Sequence, residues 1–176
     1  MRSSAIGVLA LLLSAAPAAS EVVKASPNGF EVRQTVNLVV PPEVAWGAFA
    51  NLRGWWSKDH TYSGNAANLS LTLAPGGCFC ERFPEGGGIE HMRVTSVDPG
   101  KRVVLTGALG PLLYEATTGV MVVQVKSIAG GSQLTLNYRV AGFANGGADK
   151  LAPIVDGVLA DQMKRYRAFA SARPKS

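Results

Sequence analysis

Both cysteines and one of the two histidines of the chain lie in one short stretch, GGCFCERFPEGGGIEHMRVTSVD at 76–98. Two extended runs flank a connection rich in Pro and Gly, a spacing that is typical of a β-hairpin. Side chains alternate between the two faces of a strand, so Cys78 and Cys80 should share one face while Glu81 points from the other. In the simplest register, Glu81 lies directly opposite His91.

The Glu81–His91 pair is the strongest candidate for acid–base chemistry. A carboxylate opposite an imidazole should raise the imidazole pKa and select its tautomer. If the pair faces a cavity, it could act as general base and acid on an enolisable ligand, with Arg93 as an anion anchor on the same face. The alternative is a solvated trio of charges on the convex side of the sheet. Phe79 and Phe83 share the predicted face, which favours at least partial burial.

The cysteines leave three interpretations open. In an extended strand their Cα atoms would be about 6.6 Å apart, near the upper limit for a Cys78–Cys80 disulfide. They could instead be half-buried thiols that pack as small apolar groups, or take part in metal or redox chemistry. A thiolate metal site would need His91 and a carboxylate on the same face as the thiols, whereas the predicted register puts Glu81 and His91 on the other. We therefore expect no metal and no cofactor.

The first 20 residues have the pattern of a cleavable signal peptide. Arg2 precedes an apolar run at 5–13, and a zone of small residues allows cleavage after Ala18 or Ser20. The apolar run is too short to span a bilayer. We expect a periplasmic or secreted protein, with a retained membrane anchor as the alternative.

The mature chain is long enough for one domain with a single core. The formal net charge of the full chain is +5, and no long basic run supports nucleic-acid binding. A basic cluster at 164–167 continues into the tail and is typical of cations near a helix C-terminus. Weak contact with an anionic membrane or envelope surface is the alternative, and we expect a monomer or a weak dimer.

Hydrophobic periodicity predicts the elements that must position these residues. The pattern predicts a strand at 30–40, two short helices from Glu43 onward, and then only strands up to about residue 141. Apolar and polar residues alternate along 133–141, as in a sheet with one buried face. The final helix is predicted at 149–171, with Asp149 as N-cap and a broad apolar stripe. The fold class is therefore α+β, with an antiparallel sheet of about six to seven strands around the last helix.

Four stretches in this order resemble the START/SRPBCC superfamily, which includes polyketide cyclases, the birch-pollen allergen type and relatives of the heat-shock ATPase activator. They are VVPPEVAWGAFANLRGWW at 39–56, PGGCFCERF at 75–83, VTSVDPGKRVVLTGALGPL at 94–112 and GGSQLTLNYRVAG at 130–142. The resemblance implies a helix-grip fold over residues 30–171. Outside this range we expect a signal peptide at 1–20, a flexible N-terminus at 21–29 and a tail at 172–176.

The resemblance also implies an elongated cavity between the sheet and the last helix, with the segment at 55–62 at its mouth. Aromatic rings in that segment could cap an apolar ligand while His60 or Tyr62 offers one hydrogen bond. Packing alone would also explain at least two of its aromatic and imidazole side chains. The candidate ligand-binding residues are Trp56, His60, Tyr62, Glu81, His91, Arg93, Leu136, Tyr138, Val155 and Leu159.

We expect a protein that binds a hydrophobic or amphipathic small molecule, lipid-like or aromatic, without catalysis. The first alternative is a cavity enzyme of the cyclase, dehydratase or isomerase type, with Glu81, His91, His60 and Tyr62 as catalytic candidates. The second is a protein-interaction or chaperone-cofactor module. A binder needs an apolar cavity, an enzyme needs ionisable groups converging in that cavity, and an interaction module needs an exposed apolar patch.

Overall fold

The computed structural model describes residues 19–172, which form one antiparallel sheet and two α-helices. The strands are β1 (Ala19–Ser26), β2 (Gly29–Leu38), β3 (Leu69–Leu71), β4 (Cys78–Arg82), β5 (Gly88–Asp98), β6 (Arg102–Gly107), β7 (Ala116–Ile128) and β8 (Gly131–Phe143). The helices are α1 (Pro42–Ala50) and α2 (Ala152–Ser171). Within residues 19–172, no helix is both long and apolar enough to cross a membrane.

The sheet is an eight-stranded antiparallel layer in the order β1-β2-β8-β7-β6-β5-β4-β3. It curves around the C-terminal helix, which confirms the predicted α+β class and is consistent with a helix-grip fold. The prediction of six to seven strands missed β1, because the segment at 21–29 was expected to be flexible. Instead, β1 pairs with β2 from Ala19 opposite Thr35 to Ser26 opposite Gly29. Most of its side chains are exposed, so β1 carries no buried face for periodicity to detect.

The predicted alternation of β8 is confirmed. Leu134, Leu136, Tyr138 and Val140 are all buried, and they face the inner side of the sheet. The neighbouring strands β2 and β7 alternate in the same way, so the core lies between the three strands and α2. Each buried aliphatic side chain of this kind contributes about 1.5–3 kcal/mol through removal from water.

Only one of the two short helices predicted after the first long strand is an α-helix. Helix α1 begins at Pro42, whose missing N–H costs nothing in a first turn. The chain after α1 instead forms single 3₁₀ turns at Leu52–Gly54 and Lys58–His60. Trp55, between these turns, is buried and donates its indole N–H to the Ala48 carbonyl at 3.0 Å.

Helix α2 begins three residues later than predicted. Asp149 lies in a 3₁₀ turn at Ala148–Lys150, and the N-cap residue is Leu151, which makes no side-chain capping bond. The later start of α2 is compatible with Pro153, because a proline is well tolerated in the first turn of an α-helix. The C-terminal half of α2 is the more deeply buried part, and the Tyr166 hydroxyl there donates to the Ala45 carbonyl of α1. Met163 and Tyr166 are fully buried there.

The hairpin of β4 and β5 has a different register from the simplest one. Glu81 pairs with Ile89 rather than with His91, and Cys80 pairs with Glu90. A β-bulge then shifts the register, so that Phe79 pairs with Met92. The loop that joins the strands contains glycines with positive φ, a conformation that other residues rarely adopt.

Candidate functional site

A cavity of about 400 Å³ lies between the N-terminal half of α2, the 3₁₀ turns after α1 and the inner face of β4 and β5. This volume is within the range that small-molecule sites occupy. Most of its wall is apolar, and the lining residues are Trp56, Asp59, His60, Thr61, Tyr62, Phe79, His91, Leu109, Gly110, Pro111, Leu112, Tyr114, Leu151, Ile154, Val155, Val158 and Leu159.

The cavity lies where the side chains of α2 are least buried, in the N-terminal half of the helix. Leu159 is buried, but Ile154 one turn earlier is 60% exposed, and Val155 and Val158 are only half-buried. These three side chains face a space that the protein's own residues do not fill. The apolar stripe of α2 therefore extends beyond the packed core, and the first turns of the helix form one wall of the cavity.

His91 is the buried polar group of the cavity wall. Its side chain is 5% exposed and its Nε2 lies 3.1 Å from Oε2 of Glu81, whose side chain is completely buried. The imidazole also lies between two aromatic rings, with centroids 4.8 Å from Phe79 and 5.8 Å from Tyr62. Nδ1 is buried and has no hydrogen-bond partner among the described residues.

Burial decides the charge state of His91. Burial lowers the pKa of the imidazole, and the hydrogen bond and charge of Glu81, which raise it, offset burial only in part. Glu81 thus raises the His91 pKa as predicted, but burial, which the prediction did not include, makes the net shift downward. The neutral ring donates from Nε2 to a carboxylate that can only accept, so Nδ1 holds a free lone pair.

Glu81 holds the loop at the cavity mouth. Its carboxylate accepts hydrogen bonds from the backbone N–H of Tyr62 at 3.1 Å and of Ser63 at 2.5 Å, in addition to His91. Burial alone would raise the pKa of Glu81, but these hydrogen bonds, led by Ser63, outweigh burial and lower it. Glu81 is thus ionised, lies behind His91 and does not line the cavity.

Two further contacts close the site on the loop side. The hydroxyl of Tyr62 donates to the Gly110 carbonyl at 2.7 Å and so joins the two loops across the mouth. Behind this loop, the side-chain oxygen of Gln162 on α2 accepts from the Ser57 N–H at 2.8 Å. The segment that carries His60 and Tyr62 is therefore attached both to the sheet and to the helix.

The structure brings together six of the predicted ligand-binding residues and separates four. Trp56, His60, Tyr62, His91, Val155 and Leu159 line the cavity. Leu136 and Tyr138 do not, because they lie in the packed core below it, where the Tyr138 hydroxyl accepts from the Leu109 N–H and donates to the Gly107 carbonyl. Glu81 is behind His91, as described above.

Arg93 is on the opposite face of β5 from the one predicted. The bulge makes His91 and Met92 consecutive inward-facing residues, so the alternation that follows places Arg93 outside. Its guanidinium pairs with Glu90 and donates to the Gly76 carbonyl. Arg93 therefore cannot anchor an anion in the cavity.

Sequence reasoning missed the cavity wall formed by the 3₁₀ turn at Gly110–Tyr114 and by the residue before it. Leu109 and Leu112 face the cavity, and Tyr114 is 75% exposed beside the mouth. The available signal was the apolar run that surrounds Gly110 and Pro111, which predicts a loop but does not tell which element the loop covers.

Cys78 and Cys80 form a disulfide on the outer face of β4, on the side opposite to Phe79 and Glu81. Within residues 19–172, the potential metal-ligand atoms of these two cysteines and of Glu90 lie within 4.8 Å of one another. Both sulfur atoms are used in the disulfide, so they are not available as thiolate ligands in this state.

The sheet, the long helix and the open cavity between them are consistent with a helix-grip type of α+β domain. No protein-family model matches the chain, and no curated protein does. Among solved structures, the chain is similar to an uncharacterised protein from Rhizobium leguminosarum, with 15% identity, a TM-score of 0.61, and coverage of 90% of this chain and 100% of that one.

Two other solved structures are also similar to the chain. The protein CalU16 from Micromonospora echinospora is 10% identical, with a TM-score of 0.57 over 92% of this chain and 88% of that one. The di-domain aromatase/cyclase StfQ of the steffimycin biosynthetic pathway is 12% identical, with a TM-score of 0.54 over 82% of this chain and 51% of that one. At these identities the similarity shows the fold alone.

Proposed function

We propose that this protein is an exported member of the START/SRPBCC superfamily that binds a hydrophobic or amphipathic small molecule. The observation that carries the proposal is the cavity of about 400 Å³ with its mostly apolar wall. A polar or charged ligand would find few partners there, since Glu81 is buried behind His91 and already accepts three hydrogen bonds, while Arg93 is outside. Apolar surface is therefore the main source of binding free energy.

The cavity also favours a ligand with one hydrogen-bond donor. The lone pair of His91 Nδ1 is the unused acceptor of the wall, and the Tyr62 ring stacks on the same imidazole. A ligand that reaches Nδ1 in the plane of the imidazole can donate a hydroxyl or an N–H group to it and so remove the cost of leaving a buried acceptor unpaired. The ligand class is thus an aromatic or lipid-like molecule with a hydroxyl group.

Binding of an apolar fluorophore tests the proposal. N-phenyl-1-naphthylamine should bind the protein with a rise in fluorescence, and Val158→Trp should weaken this binding at least about tenfold by filling the cavity. Val120→Trp is the matched control, because Val120 is 40% exposed on β7 and does not line the cavity. Equal affinities for the two variants would refute the assigned site.

Export is part of the proposal and rests on the sequence pattern of residues 1–20, most of which lie outside the described residues. Expression of the full chain in a bacterium, followed by separation of the periplasmic fraction, tests it. The expected result is a protein whose intact mass corresponds to cleavage after Ala18 or Ser20. An uncleaved protein in the cytoplasmic fraction would contradict export.

A cavity enzyme of the cyclase type is the second candidate. A buried, neutral His91 whose tautomer is selected by Glu81 is the arrangement of a general base, since Nδ1 can take a proton while Glu81 stabilises the resulting cation. The base would remove a proton from a carbon between two carbonyl groups, the enolate carbon would attack a third, more distant carbonyl carbon of the same ligand, and the oxygen of that carbonyl would take the proton back from Nδ1. Two of the catalytic candidates, His60 and Tyr62, also line the cavity.

Exchange of deuterium into an apolar 1,3-diketone separates the two candidates. An enzyme should accelerate the exchange at the central carbon, and His91→Gln should abolish the acceleration while the diketone still binds. Val120→Gln is the control, because Val120 is exposed on β7 and does not line the cavity. Binding without any acceleration by the unmodified protein would favour the passive binder.

A further inference from the structure

The Cys78–Cys80 disulfide lies where small thiols can reach it. Both cysteines are partly exposed on the outer face of β4, whereas Phe79 and Glu81 on the inner face are buried. Thiol–disulfide exchange requires the attacking thiolate to approach a sulfur atom, so access from solvent is the first condition for it. The pair meets this condition without any opening of the core.

Strand β4 is short at the position where the disulfide bridges it. The Cα atoms of Cys78 and Cys80 are 5.4 Å apart. Two residues of an extended strand span about 6.6 Å, so β4 is shorter here by about 1.2 Å. A strand that is locally shortened cannot stay in regular register with a neighbour that is fully extended.

The irregularity in β5 lies directly opposite the disulfide. Phe79 pairs with Met92 and Cys80 pairs with Glu90, so β5 has one residue more than β4 across this step. The additional residue is His91. Because of the bulge, His91 and Met92 both face the interior, although consecutive residues of a regular strand point to opposite faces.

We infer that Cys78 and Cys80 form a reversible redox pair whose oxidation state sets the position of His91 in the cavity. The disulfide holds β4 short and thereby stabilises the bulge that turns His91 inward. Without the S–S bond, β4 can extend and the regular alternation of β5 can return, so that His91 and Met92 no longer both face inward. The effect on ligand binding rests on the proposed function, whereas the coupling between disulfide and His91 does not.

The co-reactant is a dithiol, either a small molecule or the active site of a reducing protein. Its thiolate attacks one of the two cysteine sulfurs, which forms a mixed disulfide and releases the other cysteine as a thiolate. The second thiol of the reagent, as its thiolate, then attacks the mixed disulfide and releases the remaining cysteine. Two electrons pass from the reagent to the protein, two protons end on the cysteine thiols, and the reagent leaves as its own disulfide.

Imidazole NMR of the untagged protein tests the inference, because the chain has only two histidines. The folded protein is titrated with dithiothreitol, and alkylation with intact mass measures the thiols that appear. We expect both cysteines to be alkylated in the folded protein and the ¹⁵N signals of the His91 ring to move, with return on oxidation. The signals of His60, which is outside the hairpin, should stay in place.

The double variant Cys78→Ser/Cys80→Ser should show the reduced-state signals of His91 with or without reductant. Two results would overturn the inference: a disulfide that opens only when the protein unfolds, or reduced protein in which the His91 signals keep their oxidised positions. N-phenyl-1-naphthylamine binding is measured on the same samples. If this probe binds in neither state, the proposed function fails, and the His91 signals still decide the redox inference.

Discussion

Replacement of Glu81 by glutamine tests the role of the buried carboxylate with almost no change in volume. Three donors converge on Glu81, namely the N–H groups of Tyr62 and Ser63 and Nε2 of His91. A glutamine has one acceptor oxygen, so at least one buried donor would face the side-chain amide, which also donates. Such an unsatisfied donor costs about 1–3 kcal/mol, and the remaining bonds weaken because their acceptor is no longer charged. We expect the free energy of unfolding to fall by about 2–4 kcal/mol.

Urea unfolding at neutral pH, followed by tryptophan fluorescence, measures this loss. Glu90→Gln is the matched control, because Glu90 lies on the neighbouring strand but is 41% exposed and pairs with Arg93 at the surface. An exposed ion pair contributes about 0–1 kcal/mol, so the control should stay close to the unmodified protein. The slope of the unfolding free energy against urea concentration should be unchanged in both variants if the folded and unfolded states keep their compactness.

The pH dependence of the stability difference between Glu81→Gln and the unmodified protein shows whether the charge of Glu81 causes that difference. Because the folded state lowers the pKa of Glu81, its contribution is present above the unfolded pKa of about 4.3 and is lost as the pH falls through the lower folded pKa. The gap between Glu81→Gln and the unmodified protein should therefore narrow below about pH 4. A loss below about 0.5 kcal/mol, or a gap that stays constant down to about pH 3, would refute the reasoning.

Two other predictions concern the groups around the cavity. The folded state lowers the pKa of His91, so below about pH 6.5 the unfolded chain binds more protons than the folded chain. The free energy of unfolding should therefore fall as the pH decreases in this range, by up to about 1.4 kcal/mol per pH unit. Unfolding experiments across this range should show that His91→Gln loses this component and His60→Gln keeps it; equal slopes for the two variants would contradict the assignment. Burial raises the pKa of Tyr138 to about 12, and its hydroxyl bonds to the backbone of Leu109 and Gly107. Tyr138→Phe should lower the free energy of unfolding by about 1–2 kcal/mol, whereas an unchanged thermal midpoint would show that these two bonds contribute nothing.

Periodic patterns predicted the parts of the fold whose burial follows from local geometry. The alternation along β8 placed its inward face correctly, and the apolar stripe of α2 predicted a long helix against the sheet. Both predictions rest on a fixed angle between successive side chains. The beginning of α2 and the strand β1 were missed because a 3₁₀ turn and an exposed edge strand leave no such pattern.

The candidate site was predicted in composition but not in arrangement. His60, Tyr62 and His91 were named from the sequence and do line the cavity. Arg93 was placed on the wrong face because a single bulge reverses the alternation after it. The alternation of residues within β5 does not mark that bulge, because the bulge depends on how β4 and β5 pair.

The sequence alone was enough to identify the fold class, the hairpin and the pair of residues, Glu81 and His91, with the chemistry to act together. Only the tertiary structure decided what that pair can do. Burial in the cavity wall keeps His91 neutral against the charge beside it, while three donors hold Glu81 ionised and out of reach of a ligand. A side chain carries its reference pKa from its chemistry, but desolvation and hydrogen-bond partners come from residues distant in sequence, and these exist only in the folded chain.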